Sequence, residues 1–127
     1  MRISPEALTP PALDPLVIEG AGGALVPVTR DLLYADLFAR WKLPVVIVAR
    51  TGLGTINHSL MTIEALRHRR VEITGIAFVG DAVEDSEATI AAIGRVKRLG
   101  RLPLADSLDP AWLQSAFAEA FDLGDFA

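Results

Sequence analysis

The stretch that most constrains this chain is Val45–Arg70, VVIVARTGLGTINHSLMTIEALRHRR. Val45-Val46-Ile47-Val48-Ala49 is an apolar run without alternation, the pattern of a parallel strand buried on both faces. The turn Thr51-Gly52-Leu53-Gly54-Thr55 follows, and then Ile56, Leu60, Ile63 and Leu66 recur at helical spacing. A strand, a glycine turn and a helix bring unpaired backbone N–H groups to the carboxyl edge of a sheet. Open α/β folds bind ligands at that edge, and a helix N-terminus favours anions. Thr55 or Asn57 is the expected helix cap. A turn of the same sequence can also be purely structural, so geometry alone leaves both readings open.

Other segments repeat the unit. Leu16–Glu19 reads as a first strand that delivers a carboxylate to its tip, before Gly20-Ala21-Gly22-Gly23. A carboxylate so placed suits Mg²⁺, directly or through water, and small residues let backbone approach phosphate oxygens. A strand-end glutamate beside a flexible loop has the same sequence. Leu25–Val28 is a short extended piece in which Pro27 bars a central strand. Asp31–Trp41 reads as a helix with Thr29 as its cap, and with Tyr34 and Trp41 as packing residues. Thr74–Val79 is the next strand, ending at Gly80-Asp81. Asp85–Leu99 follows as a helix capped by Asp85 or Ser86, and Leu102–Ala105 as a short last strand. Asp109-Pro110 then starts a helix over Ala111–Phe121, with proline in its first position. This order predicts an α/β fold, a parallel sheet with helical crossovers. Residues 1–15, with Pro5, Pro10, Pro11 and Pro15, read as a Pro-rich lead-in and residues 16–127 as the domain.

Composition narrows the function classes. A chain of 127 residues makes one domain, and 51% hydrophobic residues with a mean hydropathy of +0.38 suit several buried strands. No apolar run approaches the roughly 20 residues needed to cross a bilayer, and the start lacks the pattern of a signal peptide. The absence of cysteine excludes disulfides, Cys-ligated zinc and thiol catalysis. A net charge of −4 argues against nucleic acid as a partner. A cytoplasmic protein with neither membrane nor nucleic-acid partner is the expectation. Arg67-His68-Arg69-Arg70 complement a helix C-terminus. His58 and His68 are too far apart to form a metal pair, and no Ser/His/Asp triad can be assembled.

The quoted motifs also carry a family resemblance. Val17–Gly23, VIEGAGG, with Leu25-Val26-Pro27 after it, resembles dethiobiotin synthetases, as do Gly52–Thr62, GLGTINHSLMT, and Leu99–Leu104, LGRLPL. The resemblance runs from Leu16 onward and covers the C-terminal portion of the family's length. It implies a P-loop NTPase-like fold, truncated at the N-terminus, in a cytoplasmic homodimer. It implies ATP and Mg²⁺ as cofactors. It also implies closure of the ureido ring of dethiobiotin from 7,8-diaminononanoate and CO₂ or bicarbonate, a step of biotin biosynthesis. By motif match Glu19 resembles the family's Mg²⁺ ligand, and Glu19, Gly20, Ala21 and Gly22 lie beside the ATP phosphates. Val79, Gly80, Leu102, Pro103 and Leu104 match the surroundings of adenine. Gly54, Thr55, Ile56 and Asn57 match the helix start that binds the substrate carboxylate, which the family supplies from the partner subunit.

Two departures stand out. Many members place an asparagine where this chain has Val79, and valine has no amide with which to read a base. Nothing matches G-x-x-x-x-G-K-[ST], and Lys42 and Lys97 follow neither a Gly-rich loop nor a strand tip. The lead-in therefore looks like a junction inside a longer protein. Two functions follow: part of the ligase, active with the missing N-terminal portion of the same enzyme, or a non-catalytic anion-binding or dimerisation module descended from it.

Overall fold

A computed structural model describes residues 3–127; Met1 and Arg2, the first residues of the expected lead-in, lie outside them. The chain opens with a single 3₁₀ turn, Pro5–Ala7, and runs without regular structure to Pro27. The indole N–H of Trp41 donates to the Leu8 carbonyl at 2.7 Å and ties this segment down. Strands β1 (Pro27–Thr29) and β2 (Leu32–Leu33) form a small antiparallel hairpin, and α1 spans Tyr34–Trp41. Then come β3 (Val45–Arg50), α2 (Thr55–His68), β4 (Ile73–Val79), α3 (Glu84–Gly94), β5 (Arg98–Leu102) and α4 (Pro110–Ala120). A 3₁₀ turn, Leu123–Phe126, follows.

The sheet is parallel, in the order β3-β4-β5. Alternation along the strands sends residues to opposite faces. One face carries Ile47, Ala49, Ile76 and Phe78, packed with Ala35, Ile63, Leu66 and Ile90 from α1, α2 and α3. The other carries Ala77 and Leu99, packed with Phe117 and Phe121 at the end of α4. The sheet thus lies between two helical layers, as expected for parallel strands.

Several expectations need correction. Leu16–Glu19 is not a strand and pairs with nothing in the sheet; Val17 is 92% exposed. Its β-branched sequence suits a strand, but a strand forms only against a partner, and among the described residues β3 is bonded only to β4. Nor is β3 buried on both faces, because α4 packs over β5 and leaves Val48 67% exposed at the sheet edge. The helix expected from Asp85 to Leu99 ends at Gly94, where Arg95 turns left-handed at φ 48° and releases the chain into β5. The last strand accordingly lies earlier than Leu102–Ala105.

Helix ends use other caps than those expected, except at Asp109, whose carboxylate accepts the Trp112 N–H at 2.9 Å. At α1 the Asp36 carboxylate reaches back to accept the Leu33 N–H at 2.9 Å. Its other oxygen takes the Nε–H of Arg69 at 2.6 Å, joining α1 to the end of α2. The Arg69 hydrogen bond, then that of Leu33, holds the Asp36 carboxyl below its ordinary value of 3.8. A carboxyl lowered on folding adds stability above its unfolded pKa and loses it as pH falls through the folded value. Asp36→Asn is therefore expected to be less stable than the parent at pH 6. The difference should shrink below about pH 4, as urea titrations across pH will read.

Candidate functional site

The parallel register sets Arg50, Val79 and Leu102 side by side at the carboxyl edge of the sheet. Backbone bonds continue this alignment beyond the strands. The Thr51 N–H donates to the Val79 carbonyl at 3.1 Å, and the Gly80 N–H to the Leu102 carbonyl at 2.9 Å. Two of the three groups of residues expected at a site therefore share one edge. They are Gly54–Asn57, at the start of α2 after β3, and Val79, Gly80, Leu102, Pro103 and Leu104, at and just beyond the tips of β4 and β5.

The turn after β3 is set by Gly54, which sits at φ 88° as the N-cap of α2. Side chains other than glycine rarely adopt that conformation. Neither Thr55 nor Asn57 caps the helix, since both lie inside its first turn. The Thr55 amide is taken by the Gly52 carbonyl at 3.2 Å. The amides of Ile56 and Asn57 have no acceptor among the described residues, which is the ordinary state of a helix start. The Asn57 side chain is exposed beside them. Such a start can accept a carboxylate.

Gly80 takes φ 134°, and a Cβ there would stand 2.2 Å from the Thr51 hydroxyl oxygen. Buried Thr51 thus fits against β4 only because residue 80 lacks a side chain. Val79 and Leu102 are half-buried, whereas Pro103 and Leu104 are exposed on the loop after β5.

A charged network backs this edge. Glu84 and Glu87, on α3, meet Arg98 and Arg101, on β5. Arg98 binds both oxygens of Glu84 and also reaches Glu87. The Arg98 hydrogen bond lowers the Glu84 carboxyl below its ordinary range, and the same bond raises Arg98. Arg101 donates to the Gly80 carbonyl at 3.2 Å. None of the four was singled out in the sequence, where only the spacings Glu84-x-x-Glu87 and Arg98-x-x-Arg101 hint at a pairing.

Glu19, Gly20, Ala21 and Gly22 belong to the irregular segment before β1. All four are exposed and irregular, and Gly20 lies against α1, where a Cβ would sit 3.3 Å from the Phe38 ring. Glu19 is thus on a loop rather than at a strand tip. Among the described residues no group of three or more His, Cys, Asp or Glu side chains could hold a metal ion. Glu19 could supply one oxygen to Mg²⁺, but these residues do not by themselves make a Mg²⁺ site. Two clefts, one beside Met61 and His68 and one beside Lys42 and Arg70, contain none of the expected site residues. No helix among the described residues is long and apolar enough to cross a membrane.

Comparison with known proteins decides the family. A family model described as AAA domain matches residues 2–111. The ATP-dependent dethiobiotin synthetase of Novosphingobium aromaticivorans is 72% identical over 117 residues, 92% of this chain and 57% of that relative. The chain belongs to the AAA domain family and is a dethiobiotin synthetase homologue. The Sphingopyxis alaskensis enzyme of the same name is 61% identical over 99% of this chain and 62% of its own length. That of Brucella ovis is 55% identical over 100% of this chain and 60% of its own. This homologue therefore spans 57–62% of the length of these relatives. Among the described residues, its three-stranded parallel sheet with four helices is the expected P-loop NTPase-like α/β fold, a fragment of the relatives' length.

Proposed function

We propose that this chain carries the base-binding and carboxylate-binding parts of a dethiobiotin-forming ligase. The reaction closes the ureido ring on 7,8-diaminononanoate with CO₂ and ATP. What carries the reading is the shared carboxyl edge: the Gly54–Asn57 helix start and the Val79–Leu102 strand tips lie on one side of one sheet. Val79, Gly80, Leu102, Pro103 and Leu104 receive the adenine. Gly54, Thr55, Ile56 and Asn57 receive the substrate carboxylate, serving the site of a partner copy in a cytoplasmic homodimer. ATP supplies the phosphoryl group that activates the carboxylated amine.

The remaining roles are divided. Glu19, with Gly20, Ala21 and Gly22 beside it, lies near the phosphates and offers one oxygen to Mg²⁺. The grip on the phosphates comes from a portion carrying the G-x-x-x-x-G-K-[ST] loop, a motif this sequence does not contain. Among the described residues nothing bonds to the β3 edge beside exposed Val48, a surface such a portion can cover. The alternative, a non-catalytic anion-binding or dimerisation module, is favoured by the same missing motif.

Asn57 separates binding from packing, since its side chain is exposed. Asn57→Ala is expected to weaken binding of 7,8-diaminononanoate by about 1–3 kcal/mol in calorimetry, with the thermal midpoint unchanged. Equal affinity in the two proteins would remove Asn57 from the site.

A further inference from the structure

Glu87 is 1% exposed, and the ligand-binding roles above leave it without one. A carboxylate so deeply buried requires partners. One oxygen takes Arg98. The other accepts the Val83 N–H at 3.2 Å and faces the Arg101 Nε at 3.2 Å. That Nε is buried and makes no aligned hydrogen bond among the described residues, so its contact with Glu87 is an ion pair alone. Arg98, which also grips Glu84, already ties α3 to β5. Arg101 reaches a different target, the carbonyl of Gly80.

That carbonyl belongs to the peptide unit joining Gly80 to Asp81. A trans peptide is planar, with its N–H pointing opposite to its C=O. Holding the Gly80 carbonyl toward Arg101 thus aims the Asp81 N–H away from it. This N–H has no acceptor among the described residues. It stands two residues beyond the strand tip where Val79 has no polar group to offer a base. Adenine presents an unprotonated ring nitrogen, N1, as an acceptor. Hypoxanthine carries a proton there and rejects a donor.

We propose that Arg101, held by Glu87, is the positioning residue for base selectivity, aiming the Asp81 N–H at the acceptor edge of adenine. This rests on the nucleotide-binding reading above. The geometry supplies with backbone the recognition that the Val79 side chain cannot give.

The test is an amide NMR titration of the 127-residue chain with adenosine and, separately, inosine. Adenosine is expected to bind more tightly and to move the Asp81 amide. Arg101→Leu should lower the adenosine-to-inosine preference about fivefold, the fold-change of one net hydrogen bond. Arg101→Lys keeps a donor for the Gly80 carbonyl and should restore most of it. Glu87→Gln should lower the preference in the same direction, and decides the matter if Arg101→Leu does not fold. A purely structural role would lower the thermal midpoint and leave the ratio unchanged, which overturns the proposal. Adenosine binding that leaves the Asp81 amide unmoved overturns it too, while sparing the nucleotide site. No binding of either nucleoside by the parent chain overturns both.

Discussion

Phe78→Ala is expected to remove most of the stability of this chain. Phe78 is 0% exposed in the middle strand, where it meets the helical layer at Ile63, Leu66 and Ile90. Truncating a buried phenylalanine costs about 3–5 kcal/mol, because the cavity adds to the lost transfer energy. A domain of this size has roughly 5–15 kcal/mol in total. Urea titration should show the midpoint falling steeply, with a population already unfolded at 37 °C. Met61→Ala, on the exposed side of α2, is the control and should stay within about 0.5 kcal/mol of the parent. A Phe78→Ala protein within about 1 kcal/mol of the parent would mean that β4 is not packed as described.

The central part of the fold was legible because its signals are local. Val45–Ala49 runs straight into a glycine turn and a helical pattern, and β3, the turn and α2 lie there. Asp109-Pro110 declared the start of α4 in the same way. What depended on distant partners was not legible. Val17-Ile18 has strand composition, yet among the described residues no strand bonds to it. Val48 looks like a core residue in sequence and is exposed because the far face of the sheet is covered by α4 only toward β5. The segment Arg98–Arg101 alternates charge with glycine and leucine, so it reads poorly as a strand until Glu84 and Glu87 neutralise its arginines.

The candidate site divides along the same line. The helix start at Gly54 and the strand tip at Val79 were readable, because a parallel topology sends every strand end to one edge, whereas Leu102, expected to open the last strand, closes it. The helix caps at Thr55 and Asn57 were misread because Gly54, at positive φ, starts the helix a residue earlier. Arg101 escaped notice because its partners lie 14 and 21 residues away in sequence and come together only on folding.

Under the proposed function this chain supplies the base-binding side of one ligase site and the carboxylate-binding helix start of a partner copy's site, and the grip on the phosphates lies elsewhere. ATP should therefore bind the isolated chain at about millimolar strength, worth only about 4 kcal/mol. Without a lysine-bearing phosphate loop, neither positioning nor charge stabilisation of the transferred group is in place. The direct measurement is phosphate release in the presence and absence of 7,8-diaminononanoate and bicarbonate, with mass detection of dethiobiotin. The chain is assayed alone and then mixed with the part of the Novosphingobium enzyme that it does not match. The prediction is no substrate-dependent release from the chain alone, and product from the mixture. Glu19→Gln should lower that turnover, with partial recovery at high Mg²⁺. Turnover by the isolated chain, or no product from a mixture that demonstrably associates, would contradict the account.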